Sequence, residues 1–300
     1  MWFKNLRLFR LSEQPELDQL DLQLEQKSFE PCGKLDLQRY GWSSPLGRNG
    51  KMLSHSNGGA TMICAKRQEK ILPGAAINEA LENKIFQIKE DEGRPVGRKE
   101  KQGLKDELIF SMLPQALSKS SMEYAYLKPA DGLIYVNASS SKKAEDLLTL
   151  LRESLGSLKA VPVGTHHPIA PTLSQWLREG QAVSPFALGD QVELRASKDE
   201  RVIRMRNQDL SADEVQQHLD TGMHVRRLAL NWNEKIDFVL DDECGIKSLK
   251  FSDLLMEQAA DQQGDDAAAV FDADFALMHG ELSQFVSDLL AAFGGESELY

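Results

Sequence analysis

The chain has 300 residues, of which 41% are hydrophobic and 27% charged, a composition typical of a soluble globular protein. No stretch approaches the roughly 18 uninterrupted apolar residues of a membrane span, and the first residues lack a secretory signal. Three widely separated cysteines predict a reducing cytoplasm, with neither a disulfide framework nor a zinc site. They are Cys32, Cys64 and Cys244.

The net charge of -11 is concentrated in one part of the chain. No Lys or Arg follows Lys250, whereas 11 of the 46 acids do, so residues 1–250 carry 35 acids and 35 bases. The acidic total therefore does not exclude an anionic partner, because basic faces can exist before the acidic C-terminal segment.

The first half predicts a sheet into which a helical hairpin is inserted. Residues 2–11, 60–67 and 122–127 alternate or are apolar, as strands are, and residues 15–27 carry a leucine stripe typical of a helix. Residues 76–119 then read as two helices interrupted by glycines, with bases concentrated at the tip. Those bases are Arg94, Arg98, Lys99, Lys101 and Lys105.

Residues 132–163 read as strand, helix and strand. Residues 133–138 are β-branched and aromatic, Ser139 to Ser141 offer N-cap hydroxyls, and Gly156 is placed to end the helix. Lys142 and Lys143 lie in the first helical turn, where the macrodipole disfavours cations. They are either a solvated pair or part of a site for an anion such as a backbone phosphate.

The second half predicts a further α+β region after a linker at residues 165–171. A short helix is expected at 173–177, and strands at 191–195, 202–206, 225–232, 236–240 and 246–251. Ser211 and Glu214 fit a capping box, and residues 261–269 read as a loop. The predicted organisation is a central sheet domain (1–75 plus 120–165), an inserted helical tip (76–119) and a C-terminal base domain with an acidic tail (166–300).

The last helix has apolar residues spaced 4, 3, 4, 3, 4 and 4 apart, close to a heptad repeat. This pattern fits an amphipathic helix packed on its own domain, and it also fits a dimer seam. The residues are Phe271, Phe275, Met278, Leu282, Phe285, Leu289 and Phe293.

Catalytic motifs are not found. The segment 47–51 is not a Walker A loop, since Met52 stands where Ser or Thr must bind Mg²⁺, and G-x-S-x-G, H-E-x-x-H and C-x-x-C do not occur. Asp272 and Asp274 precede an apolar helix and read as N-capping acids rather than metal ligands. We therefore predict no enzyme, no metal and no cofactor.

Three groups of bases remain: the hairpin tip, Lys142 with Lys143, and residues 195–206. In the last group Arg204 and Arg206 share a strand face opposite Ile203. Such a face suits phosphate binding, because each contact releases condensed counterions. Aromatic residues are sparse around all three groups, which argues against a stacking platform for single strands.

Several segments resemble the bacterial recombination-associated RdgC family, over nearly the whole chain and in the same order. They are residues 2–6 (WFKNL), 29–33 (FEPCG), 69–73 (EKILP), 104–107 (LKDE), 141–146 (SKKAED) and 271–275 (FDADF). The resemblance implies an α+β protomer that pairs through two contacts into a ring-shaped homodimer. It also implies sequence-independent binding of enclosed duplex DNA and restraint of RecA recombinase.

Position by position, the resemblance places Arg204, Arg206 and Gln208 in the DNA-facing segment, with Asn207 where a lysine is usual. Leu117 and Ser120 stand where the family tends to be aromatic, near a predicted tip contact. We therefore expect DNA contacts from Arg204, Arg206 and Gln208, and also from the hairpin bases, Lys119, Lys142 and Lys143. Dimer contacts are expected from Leu117 and Ser120 at the hairpin, and from Phe285 and Leu289 in the C-terminal segment.

The sequence thus predicts a homodimeric, cytoplasmic, nucleoid-associated protein that binds double-stranded DNA, with single-stranded DNA as a further candidate and no membrane association. One alternative is an interaction protein whose acidic tail captures a basic partner directly. A second is a metal-dependent nuclease that uses Asp272 and Asp274.

Overall fold

A computed structural model describes residues 1–196, 199–261 and 266–297 of the chain. Two antiparallel sheets and the helices around them form a mixed α+β structure, which confirms the predicted α+β class of the protomer. None of the helices in these described ranges is long and apolar enough to cross a bilayer.

The first sheet is built from the N-terminal half of the chain, in the spatial order β2-β4-β5-β6-β1-β7, and β3 also pairs with β4. Its strands are β1 (Arg7–Leu11), β2 (Gln38–Ser43), β3 (Ser54–Asn57), β4 (Ala60–Lys70), β5 (Ser118–Lys128), β6 (Leu133–Val136) and β7 (Ala160–Pro162). Helices α1 (Leu20–Glu25) and α4 (Ser141–Leu155) cover one of its faces. Trp42 fixes this layer by donating from Nε1 to Ser154 Oγ at 2.8 Å.

A long helical hairpin is inserted between β4 and β5, as predicted. It consists of α2 (Gly74–Glu92) and α3 (Arg98–Met112). The strands β4 and β5 that carry it are paired with each other as far as Lys70, which lies opposite Ser118. Only its base is buried, through Ile77, Leu81 and Leu113, while α3 has no buried residue. The hairpin is therefore an arm that extends away from the sheet.

The second sheet has the order β12-β11-β10-β8-β9. Its strands are β8 (Phe186–Ala196), β9 (Val202–Arg206), β10 (Met223–Trp232), β11 (Ile236–Asp241) and β12 (Ile246–Phe251). Its core face packs against α5 (Ile169–Glu179), α6 (Asp213–Asp220) and the long α8 (Ala267–Ala292), and α7 (Asp253–Asp261) precedes α8.

Helix α8 packs against both sheets. The Phe275 ring lies 5.7 Å from the ring of Tyr126 in the first sheet, and the Phe285 ring lies 4.9 Å from that of Phe238 in the second. Phe285 and Leu289 are 0% and 1% exposed. The prediction that these two residues contact a second chain is therefore wrong, because the protomer's own core already covers their side chains.

Several local predictions also need correction. The first strand begins at Arg7 because Leu6 already pairs with Ile246 of the second sheet, and the helix expected at 15–27 is reduced to α1. The predicted linker ends in α5, whose first residue, Ile169, is buried. The capping box is absent, since the Ser211 hydroxyl donates to Asp209 instead, at 2.6 Å.

The start of α8 differs from the prediction as well. The cap is Asp266, whose carboxylate accepts from the Ala269 N–H at 2.7 Å, so Asp272 and Asp274 lie inside the helix. Residues 267–269 are helical rather than part of a loop, and residues 262–265 of that predicted loop lie outside the described residues.

We expect Leu289→Ala to lower the free energy of unfolding by about 2–5 kcal/mol, because it leaves a cavity in a packed core. Urea denaturation followed by circular dichroism measures this loss. Leu22→Ala removes the same atoms from a side chain that is 64% exposed, and should change stability by about 0.5 kcal/mol or less. Equal effects of the two substitutions would contradict the placement of α8.

Candidate nucleic-acid interface

In the part of the chain that the structure describes, no helix covers one face of the second sheet, and that face is rich in arginine. Along β9, Ile203 and Met205 pack against the core, whereas Arg204 and Arg206 are exposed on the other side. Arg204 lies opposite Glu193 in β8, and Arg206 lies opposite Gln191. The predicted alternation of this strand is confirmed.

Two further arginines on this face come from β10 and were not predicted. In a regular strand Arg226 and Arg227 would point to opposite faces. A β-bulge between Val225 and Arg227 breaks the alternation, and both side chains reach the same carboxylate. The only sequence signal for them is a pair of adjacent bases within a predicted strand. We call the surface formed by Arg204, Arg206, Arg226 and Arg227 the arginine face.

Glu193 lies at the centre of the arginine face and is only 5% exposed. Its carboxylate accepts from Arg204 Nε at 2.7 Å, and from Nη1 of Arg226 and of Arg227 at 3.3 Å each. Burial raises the pKa of this carboxyl, but the hydrogen bond from Arg204 and the charges of the arginines outweigh it and hold the pKa below its usual value. Glu193 is therefore ionised at neutral pH. Together with the three arginines that it binds, it forms a cluster with a net charge of +2.

A small depression of about 140 Å³ opens on the arginine face. Four bases line it together with Glu193 and Gln191: Arg204, Arg206, Arg227 and Lys247. Gln208 is exposed just after β9, and its backbone N–H donates to the Asp190 carbonyl at 3.3 Å. A concave, positively charged surface of this kind suits a phosphate group.

A second basic region, which we call the lysine groove, lies between the first sheet and α4. It has a volume of about 910 Å³ and brings together Lys119 of β5 with Lys142 and Lys143 of α4. Ser140 caps α4 by accepting from the Lys143 N–H, so both lysines lie at the positive end of the helix. Arg67 also lines the groove, but Glu123 and Asp146 bind its guanidinium at 3.2 and 3.0 Å.

A line of polar contacts connects the arginine face to the region of the lysine groove. Asp241, which pairs with Arg227 across the sheet, is 3% exposed and binds both Arg7 of β1 and Lys247 at 2.9 Å. Arg7 also lies 3.6 Å from Glu243, whose carboxylate accepts from the Ser141 hydroxyl at 3.5 Å. These contacts tie the second sheet to the start of α4.

The hairpin bases are not part of either basic surface. Arg94 is held by Glu92 and by a bidentate contact with Glu100, while Arg98, Lys99, Lys101 and Lys105 lie along α3. Leu117 and Ser120 lie at the base of the hairpin, beside the paired ends of β4 and β5, rather than at its tip. Lys198, which belongs to the predicted basic group at residues 195–206, lies outside the described residues.

The two acids considered as metal ligands are engaged in other contacts. Asp272 binds His55 at 2.8 Å, and Asp274, which is largely buried, pairs with the amino group of Met1. Within the described ranges no group of three or more His, Cys, Asp or Glu side chains is arranged to hold a metal ion.

Other acids of the C-terminal segment also make internal contacts. Glu281 binds Lys235 at 3.0 Å, Asp288 accepts from Trp232 Nε1 at 2.9 Å, and Glu296 pairs with Arg10. Much of the acidic charge after Lys250 therefore attaches this segment to the two sheets.

Fold and surface together define a mixed α+β protein with an arginine-lined sheet face and a projecting helical arm. The chain belongs to the RdgC family: the family model described as "Putative exonuclease, RdgC" matches residues 1–296. Three similar proteins, each called recombination-associated protein RdgC, come from Aeromonas hydrophila (46% identical), Tolumonas auensis (42%) and Salmonella paratyphi B (44%). Each match covers 99% of both chains, and the resemblance predicted from the sequence is confirmed.

We expect Asp241→Asn to destabilise the protein by about 3–5 kcal/mol, because it removes the charge that compensates the buried Arg7 guanidinium. Urea unfolding at neutral pH measures the change. Glu153→Gln makes the same carboxylate-to-amide change in an exposed pair with Lys27, and should alter stability by about 1 kcal/mol or less. If Asp241→Asn left the free energy of unfolding nearly unchanged, the buried Arg7 guanidinium would not depend on this carboxylate for its compensating charge.

Proposed function

We propose that this protein binds duplex DNA without sequence preference, encloses it as a ring-shaped homodimer and restrains RecA-type recombinase. The proposal includes a cytoplasmic, nucleoid-associated location and no catalytic activity. The arginine face is the observation that carries it, since four guanidinium groups on one open sheet face form a site for backbone phosphates.

The shape of this face favours contact with the DNA backbone over reading of bases. Five strands at about 4.8 Å spacing extend over about 19 Å, which is wider than the roughly 12 Å major groove. The face therefore lies across phosphates rather than inside the groove. Since phosphates are alike in every sequence, binding of this kind is sequence-independent.

A closed two-fold ring needs two self-complementary contacts on each protomer. The projecting arm supports one of them, because Phe86 and Phe110 on its helices are 63% and 57% exposed. Leu117, 77% exposed, and Ser120 are further exposed residues at the base of the arm. The C-terminal segment is the second proposed contact, through surface residues other than Phe285 and Leu289.

Enclosure explains how a protein without base recognition restrains a recombinase. A ring that surrounds the duplex dissociates slowly and slides along it, and its bulk occupies the sites where a recombinase filament would grow. The names of the similar proteins, which associate them with recombination, support this role.

Exonuclease activity is the second candidate, because the description of the matching family model suggests it. Asp272 and Asp274 are poor candidates for its metal site, given their contacts with His55 and the amino group of Met1. Incubation of the protein with end-labelled duplex and Mg²⁺ or Mn²⁺ tests for this activity. Release of labelled nucleotides would replace the non-enzymatic proposal.

The third alternative is direct capture of a basic partner by the acidic C-terminal segment. It predicts no binding to bare DNA.

We expect Arg204→Ala and Arg206→Ala each to weaken binding to duplexes of unrelated sequence by a similar factor. Each should also reduce the slope of log affinity against log salt by about 1, the value for one lost phosphate contact. Fluorescence anisotropy between 50 and 200 mM salt measures both quantities.

Arg178→Ala is the matched control, because Arg178 is an exposed arginine of α5, on the opposite side of the second sheet. It should leave affinity and slope nearly unchanged. Strong sequence dependence of the wild type, or unchanged slopes in both test variants, would contradict the proposed interface.

We expect wild-type protein to be a dimer by light scattering and to stay longer on closed circular DNA than on the same DNA after linearisation. Challenge with excess competitor measures the two residence times. Phe110→Ser should remove the difference by weakening the arm contact, whereas Leu22→Ser, at a comparably exposed leucine of α1, should preserve it. Equal residence of wild type on the two DNA forms would exclude enclosure.

A further inference from the structure

We propose that Glu193 is a positioning residue for phosphate binding, and that Arg226 and Arg227 are phosphate-binding residues alongside Arg204. The Glu193 carboxylate holds their three guanidinium groups in a fixed array on the open face of the second sheet. This inference rests on the proposed DNA binding and names the residues that organise it.

The contacts leave donors free on each arginine. Arg204 uses only Nε to bind Glu193, and its side chain is 64% exposed. Arg226 and Arg227 each use Nη1, and their side chains are about one-third exposed. Among the described residues, no protein group accepts a hydrogen bond from the remaining terminal nitrogens of these arginines. The array therefore has donors that a phosphate can use.

The acid lies beneath the bases. The Glu193 side chain is 6% exposed, far less than any of the three arginines around it. An approaching phosphate thus meets guanidinium groups before it meets the carboxylate. The depression beside them, lined also by Arg206 and Lys247, has room for one phosphate group.

Preorganisation is the physical benefit of this arrangement. A free arginine loses rotamer freedom when it binds a phosphate, and that loss reduces affinity. Glu193 has already restricted three side chains before DNA arrives. The bulge at Val225–Arg227 serves the same end, because it turns two successive residues toward one acid.

A purely electrostatic role for Glu193 predicts the opposite effect of its removal. Glu193→Gln raises the net charge of the face by one, which alone would strengthen the attraction of DNA and steepen the salt dependence. Loss of positioning would weaken binding in spite of the added charge. The sign of the change therefore distinguishes the two roles.

The test compares wild type and Glu193→Gln by fluorescence anisotropy with a 20-base-pair duplex over a salt series. We expect about tenfold weaker binding and a salt slope reduced by about 1 to 2. Glu179→Gln, the same charge change on exposed α5 across the sheet, should bind as well as wild type or slightly better. Unchanged or tighter binding by Glu193→Gln overturns the positioning role.

Arg204→Lys keeps the test decisive if Glu193→Gln fails to fold, which thermal unfolding will show. A lysine retains the charge but has one ammonium group, and cannot hold Glu193 and present a free guanidinium fork together. We expect it to lose nearly as much affinity as Arg204→Ala, whereas Arg178→Lys loses none. Wild-type affinity in Arg204→Lys would refute the inference, and absence of salt-dependent binding by the wild type would instead refute the proposed function.

Discussion

The packing of α8 against both sheets determines which surfaces of the molecule remain open. Phe275 contacts the aromatic residues of the first sheet and Phe285 those of the second, so one apolar helix joins the two halves. Among the described elements, α5, α6 and α8 pack against one face of the second sheet, and the other face carries charged side chains. The arginine face thus follows from where the core lies.

Elements governed by local chemistry were predictable from the sequence, as β9 and α4 show. The alternation of Ile203 and Arg204 and the Ser140 cap depend on neighbouring residues alone. The partner of α8 was not predictable, because heptad-like spacing specifies an apolar stripe without saying what covers it. Arg226 and Arg227 were missed because a bulge is set by pairing with β8.

The acidic C-terminal segment has a structural use for much of its charge. Glu281 and Asp288 attach α8 to the second sheet, and Glu296 pairs with Arg10 of the first. The sequence shows these acids only as one C-terminal block, because their partners are far away in the chain. Their contacts leave fewer free carboxylates for a basic partner, while Asp241 and Glu193 organise bases on the opposite side of the sheet.

The hairpin of α2 and α3 is carried by two strands that pair continuously from Thr61 with Leu127 to Lys70 with Ser118. Its removal or extension would therefore leave the sheet register intact. The entropy of closing a longer connection grows only logarithmically, by about 0.6 kcal/mol for each doubling of length. Evolution can thus vary the reach of this arm, and with it the aperture of any assembly built through it, without redesigning the body of the protein.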